Sequence, residues 1–470
     1  MREDGVVAEL VGSGAAIHLM GIGGAGMAGL ARLMQARGAK VSGCDQESNE
    51  TTRELEHLGM NIRQGHSPDH VAGAAAVVHT AAVPRNHPEL EEAGRRGLPV
   101  IKRSQALADL VNRGTLIGIA GTHGKTTTSA LTALALEAAG LDPTALVGGR
   151  IPSWGGNARI GGSDTYVVEA DEFDRSFLAL WPKLAVVTSV EAEHLDTYAT
   201  LAQLEAAFDE FVDRVPMDGK VIACVDDAGA RLRLERAGDR GLAYGMSDDA
   251  ELRAESVSYG TERTTYSARW RGKSLGEFGL ALRGEHNVRN ALAVTGVMLA
   301  LGLEPQAALP AFESFSGVER RFQLLGDVDG ITVVDDYAHH PTEVTATLSA
   351  ARQVFAARRL VVAFQPHLYS RTRAFAAEFG HALAAADLVF VTAIYAAREQ
   401  PIPGVSASLV IDAARDATGD VHFAEDLEAL TAVLKRELRA GDVLLTLGAG
   451  DITSVAHRMV DELRRSNVDA

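Results

Sequence analysis

Residues 116–128, LIGIAGTHGKTTT, decide how this chain is read. Leu116 to Ala120 is an apolar run that predicts a strand. The segment Gly121-Thr122-His123-Gly124 is a glycine turn, and Thr127 to Ala139 predicts a helix. A strand, a glycine turn and a helix in that order aim successive backbone N–H groups and the positive helix end at one point, which suits an anion. Lys125 adds charge against phosphate, and Thr126 offers a hydroxyl to a magnesium ion. The expected visitor is a nucleoside triphosphate, ATP. The general phosphate-loop spacing asks for glycine at 119, where Ile119 stands, so the motif is a variant one.

Working outward, the chain has 470 residues, enough for about three domains. Hydrophobic residues make up 46% and charged residues 23%, so each domain can bury a core. The formal net charge of −17 disfavours nucleic acid and anionic lipid as partners. Only two cysteines occur, Cys44 and Cys224, at no metal-binding spacing and within apolar runs. They read as buried free thiols in a reducing compartment. The opening MREDGVVAEL lacks an apolar signal core, and no apolar run is long enough to span a membrane. A cytoplasmic protein is the expectation, with monomer and homodimer both open.

Residues 1–112 alternate strand and helix signals: AIHLMGIGG, a helix Met27 to Arg37, KVSGCD, a helix Glu50 to Leu58, AAVVHTAAV and LPVIK. Such alternation predicts a Rossmann-like parallel sheet. Residues 113–318 hold the phosphate loop, the apolar strands TYVVEA, LAVVTSV and KVIACV, and a helix from Ala202 to Val215. Between 251 and 283, short β-prone runs broken by glycine predict a small antiparallel addition, followed by a helix from Asn287 to Leu301. Residues 319–470 return to the α/β rhythm. Four strands there end in the polar tails DDYAHHP, QPHLYSRTR, YAARE and GAGD, where ligands gather in open parallel sheets. The fold class is therefore α/β in three domains: a Rossmann-like first, a P-loop ATPase-like centre and a Rossmann-like third.

Several residues invite chemistry. Gly21-x-Gly23-x-x-Gly26 follows a strand and opens a helix, with Asp45 ending the next strand. This pattern selects a diphosphate and a ribose, so a dinucleotide and a UDP-sugar both fit. Glu169 ends TYVVEA and begins an acidic cluster with Asp171, Glu172 and Asp174, placed where such folds hold magnesium. His194 stands ready either to ligate a second metal ion or to play a structural part. Asn287 could read adenine or cap its helix. Arg320 and Arg321 could close on a phosphate or remain a surface pair.

In this order, HLMGIGGAGMAGLA, GTHGKTTT, VEADEFDRSF, EAEHLDTY, HNVRNALA, GVERRF, DDYAHHPTE, FQPHLYSRT and GAGDI resemble the Mur ligase family over nearly the whole chain, and its alanine-adding branch in particular. The resemblance implies an ATP-dependent ligase that joins L-alanine to the lactyl carboxylate of UDP-N-acetylmuramate through an acyl phosphate, in peptidoglycan precursor synthesis. A tripeptide-recycling ligase is the neighbouring alternative. A nicotinamide dehydrogenase leaves the phosphate loop unexplained.

The resemblance assigns roles position by position. Gly121, Thr122, His123, Gly124, Lys125, Thr126 and Thr127 would wrap the triphosphate. Thr126 and Glu169 would hold one magnesium ion, and His194 would help hold a second. Asn287 would face adenine, and Arg321 and Asp336 would reach ATP from the third domain. Tyr337, His340, His367, Arg371 and Arg373 would shape the alanine pocket, with His340 and Arg321 serving catalysis alongside Lys125. Gly23, Gly24, Ala25 and Gly26 would meet the UDP diphosphate, with Asp45, His79 and Thr80 near the uridine or sugar. Several family members carry a carbamylated lysine on the helix after the His194 region. Residues 195–218 contain no lysine here, and Asp209 falls roughly in its place, so a native carboxylate is expected to supply the carbamate's charge.

Overall fold

The structure is a computed structural model that describes residues 5–192, 197–198, 200–260, 263–397, 399–418 and 420–468. Three sheets follow one another along the chain. The first contains β1 (Ala16–Met20), β2 (Lys40–Asp45), β3 (Asn61–Gln64), β4 (Ala76–His79) and β5 (Val100–Lys102) in the order β3-β2-β1-β4-β5, all parallel. The chain runs outward from β1 to β3, then returns to β4 on the other side. The crevice at this switch point opens beyond the carboxyl end of β1, where Gly21 begins its turn.

The second sheet contains β6 (Thr115–Ala120), β7 (Thr144–Ile151), β8 (Gly156–Arg159), β9 (Thr165–Glu169), β10 (Leu184–Val187), β11 (Lys220–Cys224), β12 (Gly241–Gly245), β13 (Leu252–Tyr259), β14 (Thr264–Trp270) and β15 (Lys273–Leu280). Their order is β15-β14-β13-β12-β11-β10-β6-β9-β7-β8. Strand β6 lies between β10 and β9, parallel to both. The phosphate loop, the end of β9 and the segment after β10 therefore share one edge. The three strands after residue 251, expected as a small addition to this domain, extend its sheet beyond β12.

The third sheet contains β16 (Gln323–Val328), β17 (Ile331–Asp336), β18 (Arg359–Phe364), β19 (Leu388–Thr392), β20 (Val421–Ala424) and β21 (Asp442–Leu447) in the order β16-β17-β21-β18-β19-β20. Only β16 is antiparallel to its neighbour. Side chains alternate across its strands, as the pleat requires. Leu360, Val362 and Phe364 enter one core with Leu348 and Phe379, while Val361 and Ala363 enter the other with Leu430 and Met459. Burial on both faces explains why these strands read as unbroken apolar runs. The strands that sequence reading passed over lack that signature. Strand β8 is GNAR, β7 carries Gly148 and Gly149, and β20 exposes His422 and Phe423.

By packing, residues 1–255, 267–278 and 289–314 form one compact unit, and residues 256–266, 279–288 and 315–470 form a second. Both cysteines are buried and unpaired with each other, as expected. Among the described residues, no helix is long and apolar enough to cross a membrane.

Candidate active site

The turn after β6 has the geometry an anion needs. Gly121 adopts φ +136° and Gly124 φ +81°, both in the region that favours glycine. A Cβ on Gly121 would lie 2.0 Å from Thr188 Oγ1, and one on Gly124 would lie 2.6 Å from Asn290 Oδ1. The helix Lys125–Ala138 then begins directly, with no side chain capping its first N–H groups. Thr122 N and His123 N are held by Ser189 O (2.9 Å) and Ser189 Oγ (3.1 Å). Thr188 Oγ1 donates to His123 O at 2.5 Å. The segment after β10 thus sets the shape of the loop.

Lys125 folds back over the turn. Its Nζ donates to Gly121 O (2.6 Å) and to both oxygens of Glu172 (2.9 and 3.0 Å). Glu172 is buried, and its carboxylate is paired with the lysine. Thr126 Oγ1 donates to Glu169 Oε1 at 3.1 Å, and Gly148 N donates to Glu169 Oε2 at 2.5 Å. Burial raises the Glu169 carboxyl above its ordinary value, against the opposing pull of Lys125 and the Gly148 N–H. The threonine hydroxyl and the carboxylate expected to share a cation are in contact. His194, expected beside them, lies outside the described residues.

In the first sheet, Gly21 adopts φ +74° beside Thr80, and Gly23 N donates to Asp45 Oδ2 at 2.7 Å. Asp45 thereby closes on the glycine turn. Gly24, Ala25 and Gly26 remain exposed at the start of the helix Ala25–Ala36. His79 Nδ1 lies 3.0 Å from Thr80 O. Asn157 Nδ2 reaches Ala25 O at 2.6 Å, and a cavity of about 480 Å³ lined by Ala25, Arg32, Glu54, Arg150 and Trp154 opens beside that helix.

Around the end of β17, Asp336 is buried and accepts from Phe322 N and Ala338 N, each at 2.7 Å. Arg321 Nη1 meets Glu343 Oε1 at 3.2 Å, and its guanidinium lies over the Tyr337 ring. His340 caps the helix Pro341–Val354, whose Glu343 accepts in return from His339 N and His340 N. Arg371 Nη1 lies 3.1 Å from His367 Nδ1, and the His367 ring stacks on Tyr395. Arg371 is buried but Arg373 is exposed, because residues two apart on a helix face different ways. The structure therefore joins Tyr337, His367 and Arg371 through the neighbouring His339 ring, while the His340 ring packs edge-on against Phe375 and Arg373 is exposed. Asn287, in the first turn of the helix Glu285–Ala300, donates to Arg283 O at 2.7 Å.

Burial pushes the Asp336 carboxyl up to about 6, against Arg321 and its N–H donors. The folded protein then binds this proton more tightly than the unfolded chain does. Its contribution to stability falls as pH rises from about 4 to about 6 and is flat above that. A carboxyl-carbon NMR titration is expected to show a midpoint near 6 that Asp336→Asn removes. A midpoint in the ordinary aspartate range would contradict the buried placement.

Asp209 does not fit the carbamate role expected for it. Its carboxylate pairs with Arg233 Nε (3.0 Å) and Arg236 Nη1 (3.6 Å) on the helix Ala228–Ala237. Two structural arginines take up the charge.

Three family profiles cover the chain in sequence: Mur ligase family, catalytic domain, on residues 16–115; Mur ligase middle domain on 119–298; and Mur ligase, glutamate ligase domain, on 320–450. The chain belongs to the Mur ligase family. A UDP-N-acetylmuramate–L-alanine ligase of Kineococcus radiotolerans is 46% identical over 453 residues, covering 95% of this chain and 96% of that protein. One from Nitratidesulfovibrio vulgaris strain DP4 is 43% identical over 445 residues, covering 94% and 98%. The crystal structure of the Thermotoga maritima UDP-N-acetylmuramate–alanine ligase superposes with a TM-score of 0.82 at 30% identity, covering 96% of this chain and all of that one. A murein peptide ligase from Psychrobacter arcticus superposes at 0.69 with 25% identity, covering 96% and 99%.

Within this Mur ligase, sequence reading missed the parts played by Glu172 and Glu343. Glu343 was half legible: a glutamate three residues after the cap of a proline-led helix is one side of a capping box, with His340 in place of the usual serine or threonine. Glu172 was not, because nothing local marks one acid of a cluster as the buried one.

Proposed function

We propose that this enzyme is a cytoplasmic ligase that joins L-alanine to the lactyl carboxylate of UDP-N-acetylmuramate at the expense of ATP. The observation that carries this reading is the Lys125–Thr126–Glu169 edge, where a cation, a hydroxyl and a half-buried carboxylate surround a bare helix start. The borders at residues 112 and 318 divide the labour: UDP-sugar on the first domain, ATP on the second, alanine on the third.

A carboxylate resists attack by an amine, so it must first gain a leaving group. Its oxygen attacks the γ-phosphorus of ATP, the bond to the β-phosphate oxygen breaks, and ADP leaves. The alanine amine then attacks the acyl carbon, and phosphate departs with the original carboxylate oxygen. Lys125 turns from Glu172 to the β- and γ-phosphates, and the turn's N–H groups hold the anion in place. The hard oxygen donors Thr126 Oγ1 and Glu169 fit a magnesium ion, which would supply charge neutralisation between the phosphates. Asn287, Arg321 and Asp336 are assigned to ATP. Tyr337, His340, His367, Arg371 and Arg373 are assigned to alanine, and Gly23 to Gly26, Asp45, His79 and Thr80 to the UDP-sugar. Water must be kept out, or the acyl phosphate hydrolyses.

Phosphate release with ATP, magnesium and UDP-N-acetylmuramate tests the assignment. L-alanine is expected to give the highest kcat/KM, ahead of glycine, L-serine and an alanine-led tripeptide. Preference for the tripeptide would move the protein to the recycling reaction.

A further inference from the structure

Away from the nucleotide loop, inside the first sheet's own layer, β1 and β2 carry a cluster that the reaction does not use. His18 comes from β1, Cys44 from the end of β2, His70 from the turn after β3, and Glu89 from the helix Pro88–Arg95. His18, Cys44 and Glu89 are essentially excluded from solvent, at 1%, 0% and 0% exposure. One donor atom from each of these four residues lies within 4.8 Å of the others. Apolar Met20, Val71, Val77, Leu90 and Ala93 wall the cluster.

The details are those of a ligand set. His18 Nδ1 lies 3.1 Å from Ser42 Oγ, which fixes the ring and leaves Nε2 as the nitrogen available to a ligand. That Nε2 is buried and has no hydrogen-bond partner among the described residues. A buried ring nitrogen is seldom left so unless something else takes its lone pair. Glu89 accepts from Ser67 N at 2.8 Å, and its oxygens lie 2.9 Å from His70 Nδ1 and 3.3 Å from Cys44 Sγ. His66 stands just outside, its Nδ1 3.3 Å from Cys44 Sγ.

We propose that His18, Cys44, His70 and Glu89 form a structural site for a borderline-soft divalent cation, zinc in class, separate from the catalytic magnesium. Two nitrogens, one sulfur and one carboxylate oxygen are four donors that suit a closed tetrahedral ion and are a poor set for magnesium. Donor–donor spacings in such a site are about 3.5 Å, so the ligands draw together slightly on loading. The thiol proton leaves to solvent as the sulfur–metal bond forms. Cys44 directly precedes Asp45, whose carboxylate holds Gly23 N, so the ion would pin the strand end that shapes the UDP-sugar turn.

Cobalt titration of the chelator-stripped full-length chain tests this. One equivalent is expected to give tetrahedral visible bands and a thiolate-to-cobalt charge-transfer band, both abolished by one equivalent of zinc and unaffected by excess magnesium. Cys44→Ser removes the charge-transfer band, Cys224→Ser retains it, and His18→Gln weakens the visible bands. The wild-type spectrum is decisive even where a variant fails to fold. A weak octahedral spectrum without a thiolate band, as oxygen ligands at the nucleotide site would give, overturns the proposal, and so does a band that survives Cys44→Ser.

Discussion

Lys125→Ala is expected to lower kcat for ligation by on the order of 10³-fold or more, while binding of UDP-N-acetylmuramate changes less than about twofold. The lysine is the cation at the phosphate turn, and its loss is felt where charge builds on the transferring phosphoryl group. The glycine turn proposed to hold the UDP-sugar belongs to a different sheet and keeps its own contacts, Gly23 to Asp45 among them. The substitution also leaves the Glu172 carboxylate buried without this cation, so the variant melts lower. The double variant Lys125→Ala/Glu172→Gln separates the two effects: it regains stability but remains inactive. Steady-state kinetics with a melting curve checks both, and near-normal turnover in either variant would refute the role of Lys125.

Glu169→Gln is expected to cost on the order of 10²–10³-fold in kcat and to raise the magnesium concentration needed for half-maximal rate. The amide keeps the shape: its one oxygen can still accept from Gly148 N while its NH2 donates to Thr126 Oγ1, so the fold is retained. What is lost is the negative charge. Because burial raises the Glu169 carboxyl, its protonation in the wild type begins above the ordinary carboxylate range. In the metal-free protein this carboxyl therefore takes up its proton at higher pH than a solvated glutamate, and the Gln variant lacks that titration. Unchanged magnesium dependence in Glu169→Gln would remove the residue from the metal site.

What could be read from the chain was what its chemistry writes locally. A strand buried on both faces announces itself as a run such as RLVVAF, and a phosphate turn needs its glycines, lysine and threonine in consecutive positions. The Mur ligase motifs assigned the rest of the candidate site, and the Tyr337, His367 and Arg371 side chains are linked by ring and polar contacts that run through His339. The edge strands β3, β8, β16 and β20 escaped notice because their apolar signal is thin, as at β20, which exposes His422 and Phe423. Partners distant in sequence escaped too. Nothing near Asp209 foretold Arg233, and no spacing rule joins residues 18, 44, 70 and 89.

Oxygen tracing puts the central claim to its most direct test. UDP-N-acetylmuramate labelled with ¹⁸O in its lactyl carboxylate is turned over with ATP and L-alanine, and the released phosphate is weighed by mass spectrometry. If the carboxylate takes the γ-phosphoryl group at the Lys125 turn, each phosphate carries one oxygen from the sugar's acid, and ADP is the other nucleotide product. Phosphate free of label, or release of pyrophosphate with AMP, would contradict it.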